Sequence, residues 1–138
     1  MGKKTNIVCF RIIILFIITV NSSFGQKISE KDVPAIIKHN LDSLYLGSKA
    51  DKWEKHGTDY NAWLVYKEIK KEIIFLQDGS VWSTKTGIPI NELPASIRED
   101  IKNNYPDKEI INPSVYIRKE GIHSYSVEIN GEEIFFPW

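Results

Sequence analysis

Two segments of the chain repeat one pattern of apolar positions, sixty residues apart. Val33 to Tyr45 and Leu93 to Tyr105 each begin with an apolar residue and Pro-Ala. The matched positions are Pro34 with Pro94, Ala35 with Ala95, Ile37 with Ile97, Leu41 with Ile101, and Tyr45 with Tyr105. Apolar residues four positions apart lie on one stripe of a helix. The pattern therefore predicts two amphipathic helices, each with its proline at the start.

Residues next to these segments predict where the helices begin and end. Asp32 and Asn91 lie just before the two prolines and are predicted N-caps. Gly47 follows the first helix and Pro106 follows the second. Because glycine and proline are typical of the positions just beyond a helix, both helices are predicted to end there.

Strand patterns follow each helix. Four strands are predicted after the first, at residues 50–55, 60–69, 72–76 and 81–82. Three are predicted after the second, at residues 110–118, 124–129 and 132–136. The predicted turns are at Gly57, Lys70-Lys71, Asp78-Gly79, Glu120-Gly121 and Asn130-Gly131. The second half therefore lacks a counterpart of the Val81-Trp82 strand.

This order of elements predicts an α+β fold in one domain, residues 26–138. Two repeats, at about residues 32–84 and 91–138, would form one continuous antiparallel sheet with both helices on one face. The strand at 124–129 alternates cleanly: Tyr125, Val127 and Ile129 face one way, whereas Ser124, Ser126 and Glu128 face the other. That alternation predicts one buried face and one solvated face.

Residues 1–25 have the features of a secretory signal peptide. Lys3, Lys4 and Arg11 precede a run of nine residues, Ile12 to Val20, that is apolar except for Thr19, and Gly25 lies just before the predicted cleavage at Gln26. The alternative is a membrane anchor, but nine helical residues rise only about 14 Å, against a hydrocarbon core of roughly 30 Å. We predict a periplasmic or secreted protein with no stable membrane anchor after cleavage.

Removal of the signal peptide changes the composition. The remaining 113 residues lose three of 18 basic residues and no acidic ones, which leaves a net charge of −3 and no cysteine. A secreted domain without disulfides depends on its hydrophobic core, and a chain of this length can bury one. The charge gives no reason to expect a nucleic-acid partner.

In their order, several short motifs resemble the PepSY-like family of secreted bacterial proteins, described as beta-lactamase-inhibitor-like and common in Bacteroidetes. The motifs are Val33-Pro34-Ala35, Leu93-Pro94-Ala95, Tyr105-Pro106, Trp53-Glu54-Lys55, Tyr60-Asn61-Ala62-Trp63-Leu64 and Asp78-Gly79. Together they span about residues 32–136. The resemblance implies the tandem α/β repeat of beta-lactamase inhibitor protein, whose sheet forms a concave surface that grips an enzyme. It implies no target and no catalytic residues.

The chain departs from the family pattern in two places. Tyr45-Leu46-Gly47 replaces the aromatic-Pro end of the first helix, and a strand is missing after Phe136. The family pattern also favours a core position for Trp53, because in that pattern the tryptophan alternates with apolar neighbours along its strand.

No residue pattern predicts catalysis, a metal site or a cofactor. The predicted mature chain has no cysteine nucleophile, no Gly-x-Ser-x-Gly motif and no glycine-rich phosphate loop. His39, His56 and His123 fall in three different elements, whereas zinc needs clustered ligands. His56 lies near Asp51 and Asp59 in sequence, so a weak metal contact stays open beside the simpler interpretation of a solvated turn.

The first half carries more large apolar residues than one core face requires. If Tyr60, Ala62, Leu64 and Tyr66 face the helices, Trp63 and Val65 face away from them. The predicted binding residues on this second face are Trp63, Val65, Ile74, Trp82 and Tyr116. The sequence therefore predicts a non-enzymatic module that binds an unidentified envelope or extracellular protein, or inhibits an enzyme. Three alternatives stay open: a homodimer that covers this face, a small-ligand carrier or sensor with a groove between helices and sheet, and a small hydrolase. The hydrolase would require titratable groups such as His39, His56 and His123 to converge in a cleft.

Overall fold

A computed structural model describes residues 25–138. Within them, two helices, Ala35–Leu44 (α1) and Ala95–Asn104 (α2), each follow a short 3₁₀ helix, at Glu30–Asp32 and Ile90–Glu92. The strands are Gln26–Ile28 (β1), Lys52–His56 (β2), Asp59–Tyr66 (β3), Ile69–Phe75 (β4), Val81–Gly87 (β5), Ile111–Arg118 (β6), Gly121–Ile129 (β7) and Glu132–Pro137 (β8). Residues 1–24 of the predicted signal peptide lie outside the described residues.

The strands form one antiparallel sheet in which each strand pairs with its neighbours in the chain, from β1 to β8. Consecutive antiparallel strands need only short connections, and the two long connections, β1 to β2 and β5 to β6, contain the helices. The α+β fold with an antiparallel sheet and two helices is thereby confirmed.

Both helices lie on the same side of this sheet. One row of directly paired residues, one per strand, runs from β3 to β7 through Leu64, Lys71, Thr86, Val115 and Tyr125. Paired residues in antiparallel strands point to the same face. Leu64 packs in the core with α1, and Tyr125 packs in the core with α2. We call this side the helix face and the opposite side the open face.

The helix face carries two separate cores, one under each helix. The four-residue stripe explains them, because Ile37 and Leu41 are buried from α1, and Ile97 and Ile101 from α2. The first core consists of Val33, Ile37, Leu41, Trp53, Tyr60, Ala62, Leu64, Ile73 and Phe75. The second consists of Leu93, Ile97, Ile101, Val115, Tyr125, Val127 and Ile129. Trp53 is buried, as predicted.

A polar seam separates the two cores on β4 and β5. Lys71 Nζ lies 3.1 Å from Thr86 Oγ1, to which it donates, and 5.5 Å from the centre of the Tyr45 ring. Burial lowers the pKa of Lys71 below its ordinary value, because the charged form loses solvation there. The two helices are thus held by separate cores on one shared sheet.

The element order places β5 differently from the prediction. Residues 26–75 and 81–137 each run strand, 3₁₀ helix, α-helix and three strands. The sequence did not predict β1, which takes the place in the first half that β5 takes in the second. The duplication itself stays a prediction, but no strand has to be missing after Phe136 to account for the order.

Two local predictions were wrong. The turn between β3 and β4 is at Lys67 and Glu68, both with positive φ (51° and 66°), whereas Lys70-Lys71 lies inside β4. The N-cap positions are occupied by Pro34 and Pro94, and neither helix has a side-chain cap. Asp32 is drawn instead into the 3₁₀ helix that precedes α1.

Candidate functional site

Four of the five predicted binding residues lie on the open face by strand register. Trp63 and Val65 alternate with the core residues of β3. Ile74 pairs with Asn61, and Tyr116 belongs to the row that crosses the sheet from Trp63. Val65 is 53% exposed, whereas Trp63, Ile74 and Tyr116 are half-buried.

Trp82 is the extra residue of a β-bulge. Phe75 pairs with Val81, but Ile74 pairs with Ser83, so Trp82 has no partner in the ladder. Its ring is 46% exposed and lies 5.2 Å from the guanidinium of Arg118, whose backbone pairs with Ser83. The bulge therefore brings Trp82 against a side chain of the open face.

The five residues share a face but do not form one apolar patch. Along one row, Glu72 and Lys85 separate Trp63 from Tyr116. These two aromatic residues are three strand spacings apart, roughly 14 Å at about 4.8 Å per strand. The expectation of a bare apolar face is therefore corrected to a face of aromatic residues with charged residues between them.

Three of the predicted residues carry a cation against the ring. Lys52 Nζ is 4.5 Å from the centre of the Trp63 ring, and Lys85 Nζ is 5.3 Å from that of Tyr116. Together with Arg118 at Trp82, these contacts fall within the range of cation–π attraction. At exposed sites such a contact is worth about 0.5–1 kcal/mol, so each cation favours the ring orientation seen here, and a partner would meet a partly preformed surface.

Glu133 organises a hydrogen-bond network on the open face. Its Oε1 accepts bonds from Lys85 Nζ at 2.5 Å, from Ser126 Oγ at 2.8 Å and from Tyr116 Oη at 3.1 Å. The Tyr116 ring also packs against Phe135, with their centres 5.5 Å apart. Four strands, β5, β6, β7 and β8, are thus connected through one carboxylate.

The network keeps Glu133 and Lys85 charged. Burial raises the pKa of Glu133, but hydrogen bonds from Lys85 and Ser126 outweigh it and leave this pKa below the ordinary value. Burial would lower the pKa of Lys85, yet Glu133 and Tyr116 raise it above the ordinary value. Burial raises the pKa of Tyr116. Lys85 is consequently an ammonium group bound to an acid and is poorly suited to act as a general base.

Glu133→Gln is expected to reduce the loss of stability in acid. Because the pKa of Glu133 is lower in the folded chain than in the unfolded one, its contribution is present above about pH 4.3 and is lost as pH falls through the folded pKa. Urea unfolding between about pH 6 and 3 measures how steeply the free energy of unfolding falls with pH. Glu132→Gln, on the helix face, is the control, and parallel curves for wild type and Glu133→Gln would contradict the prediction.

The prediction that Ser124 and Ser126 of β7 face solvent is wrong. Ser124 and Ser126 are only 8% and 0% exposed, although Tyr125, Val127 and Ile129 are buried on the helix face as predicted. Ser126 is covered because Glu133 lies across it on the neighbouring strand. Long side chains on adjacent strands thus shield the small hydroxyls at the centre of the open face.

An open groove of about 410 Å³ crosses the open face. Its floor includes Gly87 and Ser114, which pair directly and have little or no side chain. Trp63 and Glu72 line the groove at the β3–β4 side, and Glu128 and Glu133 line it at the β7–β8 side. The volume falls within the range of small-molecule sites, about 300–1,000 Å³, although most of the lining residues are polar.

His56 does not form the turn with Asp51 and Asp59 that the sequence suggested for a weak metal contact. It belongs to β2 rather than to a turn, and its Nε2 lies 3.2 Å from Glu54 Oε2 instead of meeting Asp51 or Asp59. Glu54 also contacts Lys52, and this contact lowers the pKa of Glu54. Among residues 25–138, no three His, Cys, Asp or Glu side chains are grouped to hold a metal ion.

The three histidines do not converge on one site. His39 lies on α1, above the helix face, whereas β2, with His56, and β7, with His123, are five strands apart. Five spacings of about 4.8 Å separate those two strands by roughly 24 Å across the sheet. A hydrolytic site built from these histidines is therefore incompatible with the geometry.

The site residues that the sequence reasoning missed are Lys85, Glu133, Ser126 and Phe135. Alternation along β5 and β8 could have placed Lys85, Glu133 and Phe135 on the open face. Pairing them required the register between strands, since Lys85 and Glu133 are 48 residues apart.

Neither helix within residues 25–138 has the length and apolar run that a membrane crossing requires.

Solved structures share this fold. A BLIP-like protein from Bacteroides fragilis gives a TM-score of 0.57 at 21% sequence identity, covering 76% of this chain and 77% of that one. A protein provisionally described as periplasmic, from Bacteroides eggerthii, gives 0.66 at 16% identity, covering 76% and 81%. A DUF2874 family protein from Bacteroides uniformis gives 0.64 at 15% identity, covering 76% and 82%.

The chain thus has the fold of the BLIP-like proteins, and none of these three descriptions names a catalytic activity. No family model matches the sequence, and no curated protein is significantly similar to it. The resemblance to the PepSY-like family accordingly stays a prediction.

Proposed function

We propose that this protein is a non-enzymatic binding module of the bacterial envelope or of the secreted fraction, which recognises another protein through the open face. The observation that carries the proposal is the partly preformed surface on that face. Trp63, Trp82 and Tyr116 are each held by a cation, while the network around Glu133 fixes the centre. The predicted signal peptide and the fold shared with a protein provisionally described as periplasmic support the location.

The mechanism is occlusion of the partner's surface. Tryptophan and tyrosine dominate the binding energy of protein interfaces, and truncating such an anchor costs at least about 2 kcal/mol. Rings that are already held in place lose little conformational entropy on binding. If the partner is an enzyme, covering the mouth of its active site would inhibit it without any chemistry on this chain.

The groove favours a second candidate, a small-ligand carrier or sensor. The groove lies on the open face, whereas the sequence reasoning placed one between helices and sheet, where the two cores now lie. Its ligand would carry polar groups, because seven of the twelve residues that line the groove are charged or amide-bearing.

Trp63→Ala is expected to weaken partner binding by at least about 2 kcal/mol, roughly thirtyfold. Immobilised wild type and variants are incubated with envelope extract of the producing organism, and captured proteins are identified by mass spectrometry and titrated. Trp138→Ala is the matched control, since its ring packs on Tyr125 at the helix face, with centres 5.3 Å apart.

A partner that Trp138→Ala retains and Trp63→Ala loses, with both variants folded by circular dichroism, supports the proposal. Equal capture by both variants would place the binding surface elsewhere. If no protein is captured at any salt concentration, while small polar ligands shift the groove resonances, the second candidate replaces the first.

A further inference from the structure

The groove on the open face has an acidic end that the strand register imposes. Glu128 of β7 and Glu133 of β8 pair directly, so both carboxylates lie on the same face, and both line the groove. Like charges directly opposite each other across two strands are destabilising. Lys85 compensates Glu133, but Glu128 receives only the neutral amide of Asn112, at 2.8 Å.

The groove has more acceptors than donors to offer a partner. Glu72 accepts through Oε1 from Asn61 at 3.1 Å, and Glu128 accepts through Oε2 from Asn112. Within residues 25–138, the second oxygen of each of these carboxylates, and of Glu133, has no hydrogen-bond partner. Carboxylates only accept hydrogen bonds, so an occupant has to be rich in donors.

Two lysine side chains on the open face oppose these carboxylates, and within residues 25–138 one of them has no ion-pair or hydrogen-bond partner. Lys85 is bound to Glu133, while Lys70 is exposed on the β4 side, across the sheet from Glu128. Lys71 also borders the groove, but its ammonium group is bound to Thr86 on the helix face. Three carboxylates therefore face two ammonium groups on the open face, and the β7–β8 end is the acidic one. A cationic group is complementary to this end, whereas an anion would meet unscreened carboxylates.

We propose that the partner protein docks on the open face by inserting a basic loop, with an arginine side chain in the groove at Glu128. This inference rests on the proposed function and specifies the partner's chemistry. Guanidinium has five donors in a planar fork, which matches carboxylates in pairs, and its flat face also packs against aromatic rings such as Trp63. The floor at Gly87 and Ser114 leaves room for a side chain to enter from solvent.

Binding of a cyclic hairpin peptide with one arginine at its tip tests the inference. The same peptide with citrulline, a neutral analogue of arginine, is the matched probe. Amide resonances of the ¹⁵N-labelled chain, residues 26–138, are followed during titration of each peptide. We expect saturable shifts at Gly87, Ser114 and Glu128 with the arginine peptide, and roughly tenfold weaker binding with citrulline.

Two variants localise the contact. Glu128→Gln should weaken the arginine peptide by about the same factor as citrulline does, whereas Glu99→Gln on the exposed side of α2 should not. Gly87→Leu fills the groove and should abolish binding. A Cβ at position 87 would meet Lys70 O at 3.6 Å, an ordinary contact, so this variant is expected to fold.

Equal affinity for the two peptides, or no saturable shifts, overturns the basic-loop inference. If Trp63-dependent capture of a partner persists in that case, the proposed function stands without it. A dimer of the chain that sedimentation velocity detects and that Glu128→Gln dissociates would make a second copy the occupant, and would also overturn the inference.

Discussion

Phe75→Ala is expected to destabilise the protein by about 3–5 kcal/mol, the usual cost of truncating a buried phenylalanine. The side chain is 0% exposed and packs on Trp53 in the first core, with ring centres 6.3 Å apart. Its backbone pairs with Val81, the residue just before the bulged Trp82, so the cavity would open beneath the site. Urea unfolding followed by tryptophan fluorescence measures the loss.

Phe135→Ala is the matched control. This phenylalanine is also in a strand, but it lies on the open face and is 53% exposed, so its truncation should cost less than about 1 kcal/mol. A similar loss of stability in the two variants would mean that the open face is buried, for example in a dimer. In that case the open face would not be available to a partner protein.

The helices were predictable because their signal is local. The four-residue spacing of Ile37 and Leu41, and of Ile97 and Ile101, fixes the buried stripe without knowledge of the sheet. The strand β1 was missed for the opposite reason. Gln26–Ile28 has three residues with no alternation to detect, and it forms a strand only because β2 offers it an edge.

The site was only partly predictable, because alternation determines a face but not a neighbour. It placed Trp63 and Val65 on the open face. It could not show that Lys85 and Glu133 meet, since their contact follows from the register of β5 through β8 and from two irregularities in the β6–β7 pairing. Alternation could therefore assign the charged residues to the open face, but it could not show that they lie between the aromatic rings and pair there.

The two-core architecture links the stability of the fold to the geometry of the site. The cores lie on either side of the polar seam on β4 and β5, so the backbone pairing of those two strands holds the halves of the open face in register. Glu72 of β4 and Lys85 of β5 lie on opposite sides of that junction and both line the groove. Changes that disturb the β4–β5 hairpin should therefore affect the groove.

Gly79→Ala is expected to be such a change, with a cost of about 2–4 kcal/mol. Gly79 lies in the turn between β4 and β5 with φ +87°, a region that alanine adopts only with strain. Its added Cβ would come within 2.9 Å of Ile36 Cγ1 and of Asn40 Nδ2 on α1. The bond from Asn40 Nδ2 to Gly79 O, now 2.8 Å, would then have to lengthen.

Gly131→Ala separates the cost of backbone strain from the cost of the contact between the added Cβ and α1. Gly131 lies in the β7–β8 turn with a nearly identical φ of +82°, but a Cβ there would meet nothing within 4 Å. Alanine at this position should cost only the backbone strain, about 1–2 kcal/mol. The difference between the two variants in urea unfolding measures the contact of the turn with α1. Equal losses of unfolding free energy in the two variants would show that α1 moves aside at little cost. In that case the helix does not fix the β4–β5 hairpin under the open face.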